Sequence, residues 1–430
     1  MGSTGSGKSN SVVSIIKSIL STTSNSRVVL IDPHGEYASA FPTAKVFRIN
    51  DSANPLYIPF WLMNFDELAF FLVGAKPNDD QRREYRLLRQ KITEKKKENS
   101  KLKAGEVNIN YITADSPIPF NARNLWYEIN WWLNASFSET AINNQIKEVA
   151  EVINEGDASN LIGAQFKPYN ISNKAPYKSK HQEMYSYEKK LITRLKDSRY
   201  DFLFNPGEYK DESSQLDLHN LLQDWIGNKQ RLTILDLSNV PFEVLDISVG
   251  LITRFLYDSM FWGKESTYTG RNRPLLIAYE EAHSYLGKDD STRYAKNAVE
   301  RIFKEGRKFG VGAMVISQRP SELSDSILAQ VGTFLTLRLT NSSDQSIVKS
   351  LAPDNMNSLM SLLPSLRVGE AVCVGEAISI PTRLKLELQV PRPDSSDPKL
   401  VESWSKPFTK SDTNYMEVVT SLREQKYKED

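Results

Sequence analysis

Gly2-Ser3-Thr4-Gly5-Ser6-Gly7-Lys8-Ser9, followed by the helical run NSVVSIIKSIL at 10–20, is the stretch on which the fold turns. It matches the pattern G-x-x-x-x-G-K-[ST] in full. Glycines let the backbone turn so that successive N–H groups face one phosphate, and the helix behind them adds the positive end of its dipole. In that arrangement Gly2, Ser3, Thr4, Gly5, Ser6 and Gly7 wrap the phosphates. Lys8 reaches the β- and γ-phosphates, and Ser9 ligates Mg²⁺. Such a loop normally leaves a buried strand, yet only Met1 precedes Gly2. The expectation is that the native product begins upstream, with that strand and a further N-terminal domain, unless another segment supplies the strand.

Outward from the loop, 8–20 reads as helix, and RVVLID (27–32) and KVFRIN (45–50) read as strands. Apolar runs resume at LTILDLS, PLLIAYE, VGAMVIS, TFLTLRL, AVCVG and LKLELQV. Short apolar runs alternating with amphipathic stretches predict buried parallel strands joined by crossover helices, an α/β core. The clearest helices are VLDISVGLITRFLYDSMFW (244–262) and TRYAKNAVERIFKEGRKFG (292–310).

The middle is of another kind: longer, more charged and helix-leaning. The expected division is 1–63 and 231–396 for the two parts of the core, 64–230 for a mainly helical insertion, and 397–430 for a polar tail that is a packed arm or a frayed end. Within the insertion, the lysine run of RREYRLLRQKITEKKKENSKLK (82–103) reads as a solvated helix face, with DNA or partner contact as the competing role. The aromatic residues of NLWYEINWWLN (124–134) read as its small core.

PLLIAYEEAH (274–283) ends an apolar strand in two adjacent carboxylates. One can hold Mg²⁺ through its water shell while the next polarises an attacking water. Glu280 is assigned to the metal and Glu281 to the water. His283 either belongs to this site or caps the next turn. Gln318, at the end of VGAMVIS, is placed to sense a γ-phosphate, although a polar residue closing a strand is also ordinary turn chemistry. Arg307, in FKEGRKFG, either interacts with a helix C-terminal dipole or is lent to a neighbouring subunit to stabilise transition-state charge.

Composition narrows the partners. A net charge of +1 excludes a basic arm that coats nucleic acid by charge alone. It leaves room for a ring whose few basic loops converge on a pore. No apolar run approaches the roughly 20 residues that span a bilayer, and no membrane partner is expected. The single cysteine, Cys373, excludes an internal disulfide and fits a cytoplasmic protein, and the four histidines show no zinc-site spacing.

Taken together, GSTGSGKS, VLIDPHGEY, LLIAYEEAHSYL, ERIFKEGRKFGVGAMVISQRPSELSDSILAQVGTFLTLRLTN and LRVGEAVCVGEA resemble the HerA branch of the HerA–FtsK ATPases. These blocks cover most of 1–60 and 270–380. The resemblance implies a RecA-like core, a homo-hexameric ring, ATP held with Mg²⁺ between subunits, and movement of duplex DNA. It matches Lys8 and Ser9 to the phosphate contacts, Glu280 and Glu281 to the acidic pair, Gln318 to the sensor and Arg307 to an intersubunit finger. It places Asp32, His34 and Glu36 near the nucleotide. The function expected is an ATP-driven, helicase-like DNA translocase working with a nuclease or other effector enzyme in repair or phage defence. The alternative is a ring scaffold that binds ATP to assemble and activates a partner enzyme without processive movement.

Overall fold

Strand β1 (Val28–Asp32) is buried along its whole length and takes a parallel neighbour on each side. One is β3 (Leu232–Asp236), the other β4 (Leu275–Tyr279). β2 (Lys45–Arg48) adds outside β3, and β5 (Val311–Val315) adds outside β4, giving a five-stranded parallel sheet in the order β2-β3-β1-β4-β5. The register sets Asp32 beside Asp236 at the carboxyl end of the sheet. In the computed structural model the described residues are 1–49, 51–75, 81–103, 107–138, 149–172, 175–179, 181–210, 216–289, 293–351, 357–394, 400–406 and 415–424. Asn50, expected to end the second strand, lies outside them.

Helix α1 (Lys8–Thr22) begins directly at the phosphate-loop lysine. Val12, Val13 and Ile16 on its inner face join Val28, Leu30, Leu232 and Ile234 in one buried cluster. Each such side chain contributes about 1.5–3 kcal/mol on burial, so the sheet fixes where the helix, and hence the loop, points. Helix α2 (Phe242–Trp262) makes the crossover from β3 to β4, and α3 (Arg293–Glu305) leads toward β5. These two cross closely at Gly250, where a Cβ would sit 2.8 Å from the Tyr294 carbonyl carbon.

A second sheet, β6 (Thr333–Leu337), β7 (Glu370–Gly375) and β8 (Thr382–Lys385), is antiparallel throughout. The core is mainly parallel as expected, but TFLTLRL, AVCVG and LKLELQV, read as further parallel strands, pair antiparallel. The link from β7 to β8 is too short for a crossover helix, which needs a dozen or more residues. LKLELQV is strand only as far as Lys385; residues 386–390 lie outside any strand.

Met1 and the start of the phosphate loop are held by backbone hydrogen bonds to β6 and to the residues just after β5. The Met1 amine donates to Leu335 O (2.8 Å), Leu337 N donates to Met1 O (2.8 Å), and Gly2 N donates to Ser317 O (3.2 Å). Beside Met1, an apolar cavity of about 330 Å³ is lined by Ala313 and Val315 from β5 and by Leu335 from β6.

The chain divides into two compact units: 1–56 with 218–414, which carries both sheets above, and 57–217 with 415–430. The second unit is built on the helices Phe65–Val73, Arg83–Lys103, Ala122–Asn134 and Tyr185–Lys196, with two small two-stranded sheets. Its lysine run is not solvated throughout. Lys96 is fully buried and donates to Ala114 O and Ser116 O (both 2.6 Å), because those loop carbonyls have turned inward and need a donor. Lys95 lies against Glu128. Trp126 is buried, its Nε1 donating to Glu188 (2.8 Å).

Candidate active site

The carboxyl ends of β1, β3, β4 and β5 open onto one side of the sheet, where ligands of open parallel sheets bind. Gly5 (φ 73°) and Gly7 (φ 96°) of the phosphate loop both take left-handed conformations that suit glycine. The loop is hung on surrounding backbone: Ser3 N donates to Arg338 O (3.0 Å) and Gly369 N donates to Ser6 O (3.0 Å).

From this loop the Lys8 ammonium reaches the two carboxylates that end β4, donating to both Glu280 and Glu281. All three side chains are buried. Burial opposes the Lys8 charge, but the two carboxylates more than compensate and raise its pKa. Burial pushes Glu280 up to about 7, Lys8 offsetting only part of the rise. Burial also works against Glu281, yet Lys8 and the Gln318 amide hold it below the usual carboxylate range. One cation between two carboxylates thus leaves them unequal: Glu281 is the readily ionised one.

Glu281 is also the one that is oriented. Its backbone is left-handed (φ 47°, ψ 42°), a conformation uncommon for a non-glycine residue and concentrated where a site demands it. Gln318 donates from Nε2 to Glu281 Oε1, and Thr4 Oγ1 donates to Gln318 Oε1. On the other side His283 Nδ1 lies 3.2 Å from Glu281 Oε2 and 3.4 Å from Ser317 Oγ. His283 therefore faces the site, and burial, opposed by the Glu281 charge, lowers its pKa. The Tyr285 hydroxyl donates back to Glu280 O (2.6 Å) and pins the turn.

Asp32 organises the neighbouring loop. Its carboxylate accepts from the backbone N–H groups of His34 (3.3 Å), Gly35 (3.0 Å) and Tyr37 (3.0 Å). Burial raises its pKa to about 6 despite these donors, with the nearby Asp236 charge adding to the rise. The loop so shaped delivers Glu36 to Ser9, whose Oγ donates to Glu36 Oε2 (3.2 Å). His34 is exposed. Gly35 lies so close to Asp236 that a Cβ there would be 3.0 Å from both its carboxylate oxygens, and Asp236 in turn accepts from Arg48 (2.7 Å).

These groups border a cleft of about 370 Å³, lined by Ser3, Thr4, Gly5, Gly7, Lys8, Ser9, Asn10, Glu36, Gln318, Leu388, Arg392 and Pro393. Among the described residues no cluster of three or more His, Cys, Asp or Glu side chains converges as a metal cage. Mg²⁺ does not require one, since it binds through one or two carboxylates, waters and substrate phosphates. The Ser9 hydroxyl, Glu36, and Glu280 Oε2, which is buried and accepts no hydrogen bond, offer that donor set. Ser9 and Glu280 are not joined by a hydrogen bond; Glu36 is the carboxylate that Ser9 meets.

Lys8, Glu281, Gln318 and Glu280 are thus brought together, with Ser9 at the edge of the same cleft. Arg307 is not among them: it is exposed and does not line the cleft. Sequence reasoning named Thr4 for the phosphates but not as the partner of Gln318, and it missed Ser317, which stands next to Gln318. It also missed Leu388, Arg392 and Pro393, which no pattern marks.

The family described as "Helicase HerA, central domain" matches residues 1–256, and "Helicase HerA-like C-terminal" matches residues 269–396. The chain is 28% identical over 413 residues to the DNA double-strand break repair helicase HerA of Sulfurisphaera tokodaii, covering 94% of this chain and 68% of that protein. Two solved structures share the fold at 14% identity. VirB4 of Thermoanaerobacter pseudethanolicus has a TM-score of 0.51, covering 90% of this chain and 87% of that one. Plasmid coupling protein TrwB in complex with ADP and Mg²⁺ has a TM-score of 0.50, covering 90% and 84%. The parallel sheet, the phosphate loop on α1, the acidic pair after β4 and these two family matches lead to one conclusion: the chain is a P-loop ATPase that belongs to the HerA helicase family.

Proposed function

We propose that this ATPase is one subunit of a hexameric ring that moves duplex DNA and works with a nuclease or another effector enzyme. The observation that carries the catalytic part of the reading is that Lys8 and Gln318, both on the cleft wall, meet on the Glu281 carboxylate. Lys8 exchanges its carboxylate partners for β- and γ-phosphate oxygens when ATP enters. Glu281, kept ionised and held by Gln318 and His283, accepts a hydrogen bond from the attacking water. Ser9, Glu36 and Glu280 would hold Mg²⁺, which would supply charge neutralisation at the phosphates. Gln318, bonded to Thr4 of the loop on one side and Glu281 on the other, couples phosphate occupancy to the position of the carboxylate. Arg307, exposed and away from its own cleft, is available to the cleft of a neighbouring subunit.

The motor part rests on kinship with a protein named as a DNA double-strand break repair helicase. ATP hydrolysis measured with and without duplex DNA tests it. Stimulation by duplex DNA supports a motor. Hydrolysis indifferent to DNA in an assembled ring contradicts it and favours a scaffold that activates its partner enzyme.

A further inference from the structure

Residues 386–394 lie outside any strand but are tied down along their length. Leu386 N donates to Gly369 O (2.8 Å), where the second sheet meets the phosphate loop. Asn10, on the first turn of α1, grips the segment in both directions: its Nδ2 donates to Glu387 O (2.9 Å) and its Oδ1 accepts from Gln389 N (2.7 Å). Lys17 donates to Val390 O (2.9 Å), Ser39 Oγ to Arg392 O (3.0 Å), and Asp394 N to Glu36 O (2.8 Å). The segment is a strap running from the phosphate loop across α1 to the Glu36 loop.

Every anchor named uses the strap's backbone, and the side chains of Leu388, Arg392 and Pro393 line the cleft. Leu388 is 62% exposed at the cleft wall, an apolar side chain without a packed core around it. Arg392 and Pro393 line the same cleft, and the Arg392 guanidinium makes no hydrogen bond or ion pair among the described residues. Position along α1 identifies which end of a nucleotide this wall meets. The γ-phosphate end is fixed by Lys8, Glu281 and Gln318, while Asn10 and the strap stand farther along the helix, on the side where the chain of phosphates ends in the nucleoside.

We propose that this strap is the nucleoside-binding wall of the site, with Leu388 and Pro393 packing against the base and Arg392 against base and ribose. A planar guanidinium suits that place, since it stacks on a ring face and donates to hydroxyls at once. The strap thereby supplies the recognition of a nucleoside that the phosphate loop, built from backbone N–H groups, lacks. This inference rests on the ATP reading of the cleft.

The test compares the affinities of ADP and inorganic tripolyphosphate for the full chain and its variants. Wild type binds both, and Lys8→Ala loses both; if wild type bound neither, the ATP reading itself would fail. Arg392→Ala, Leu388→Ser and Asn10→Ala each weaken ADP about tenfold, the scale of one good polar or apolar contact, and leave tripolyphosphate within a factor of about two. Unchanged ADP affinity in Arg392→Ala and Leu388→Ser, or an equal loss of tripolyphosphate, overturns the proposal while leaving the phosphate site standing.

Discussion

Gln318, just beyond strand β5, donates its amide hydrogen to Glu281, just beyond the adjacent strand β4. Two neighbouring parallel strands thus present a carboxylate and the amide that orients it from fixed backbone. Gln318→Ala removes a hydrogen bond to a charged group, worth about 1.5–3 kcal/mol. The expected outcome is a fall in kcat of about 10- to 100-fold, with KM for ATP nearly unchanged. Steady-state kinetics check it; a rise in KM at constant kcat would assign Gln318 to binding instead.

Glu280 gives the site a pH signature. Its pKa is about 7 in the folded chain against the usual value of 4.5, the shift arising from burial and only partly offset by Lys8. A carboxyl with a raised folded pKa binds its proton more tightly in the native state. Its contribution is therefore fully present below about pH 4.5 and is lost as pH rises through about 7. Relative to Glu280→Gln, whose side chain does not titrate, wild type should lose roughly 2–3 kcal/mol of stability across that window. Thermal melts of both proteins without nucleotide at pH 5 and pH 8 check it; parallel pH profiles would show that Glu280 does not titrate there.

Much of the catalytic core was legible in the sequence because each part has a local cause. The glycines at 5 and 7 answer a left-handed backbone, and VVLID and LLIAY are apolar on both faces because both faces of β1 and β4 are covered. The antiparallel sheet was not legible, since TFLTLRL and AVCVG read alike whichever way they pair. The strap was invisible for a related reason: LKLELQV alternates like a strand, and its departure at Leu386 is decided by Gly369 and Asn10, both distant in sequence. Lys96 was misread because a lysine run carries no sign of which member faces buried carbonyls.

That lysine supplies a prediction about stability. Lys96→Met keeps the bulk but takes the charged donor from the inward carbonyl of Ala114 and leaves Ser116 O with the Ile118 N–H alone. The cost should be about 2–4 kcal/mol, seen as a lowered Tm, with no change in the salt dependence of any DNA binding. A stable variant with weakened DNA binding would restore the solvated, DNA-facing role.

Arg307 tests assembly. Rings mixed from Arg307→Ala and Glu281→Gln subunits should recover part of the hydrolysis that either variant lacks alone, because some interfaces then hold both residues. Mixed rings that form and remain inactive would place Arg307 outside the catalytic interface.

The most direct test of the account is ATP turnover by Glu281→Gln, measured beside its affinity for ATP. The geometry predicts that turnover falls at least about 100-fold while ATP affinity stays within about threefold, since Lys8 and the phosphate loop remain. Turnover at the wild-type rate would contradict the claim that Glu281, held by Gln318 and His283, is the carboxylate that acts on the water.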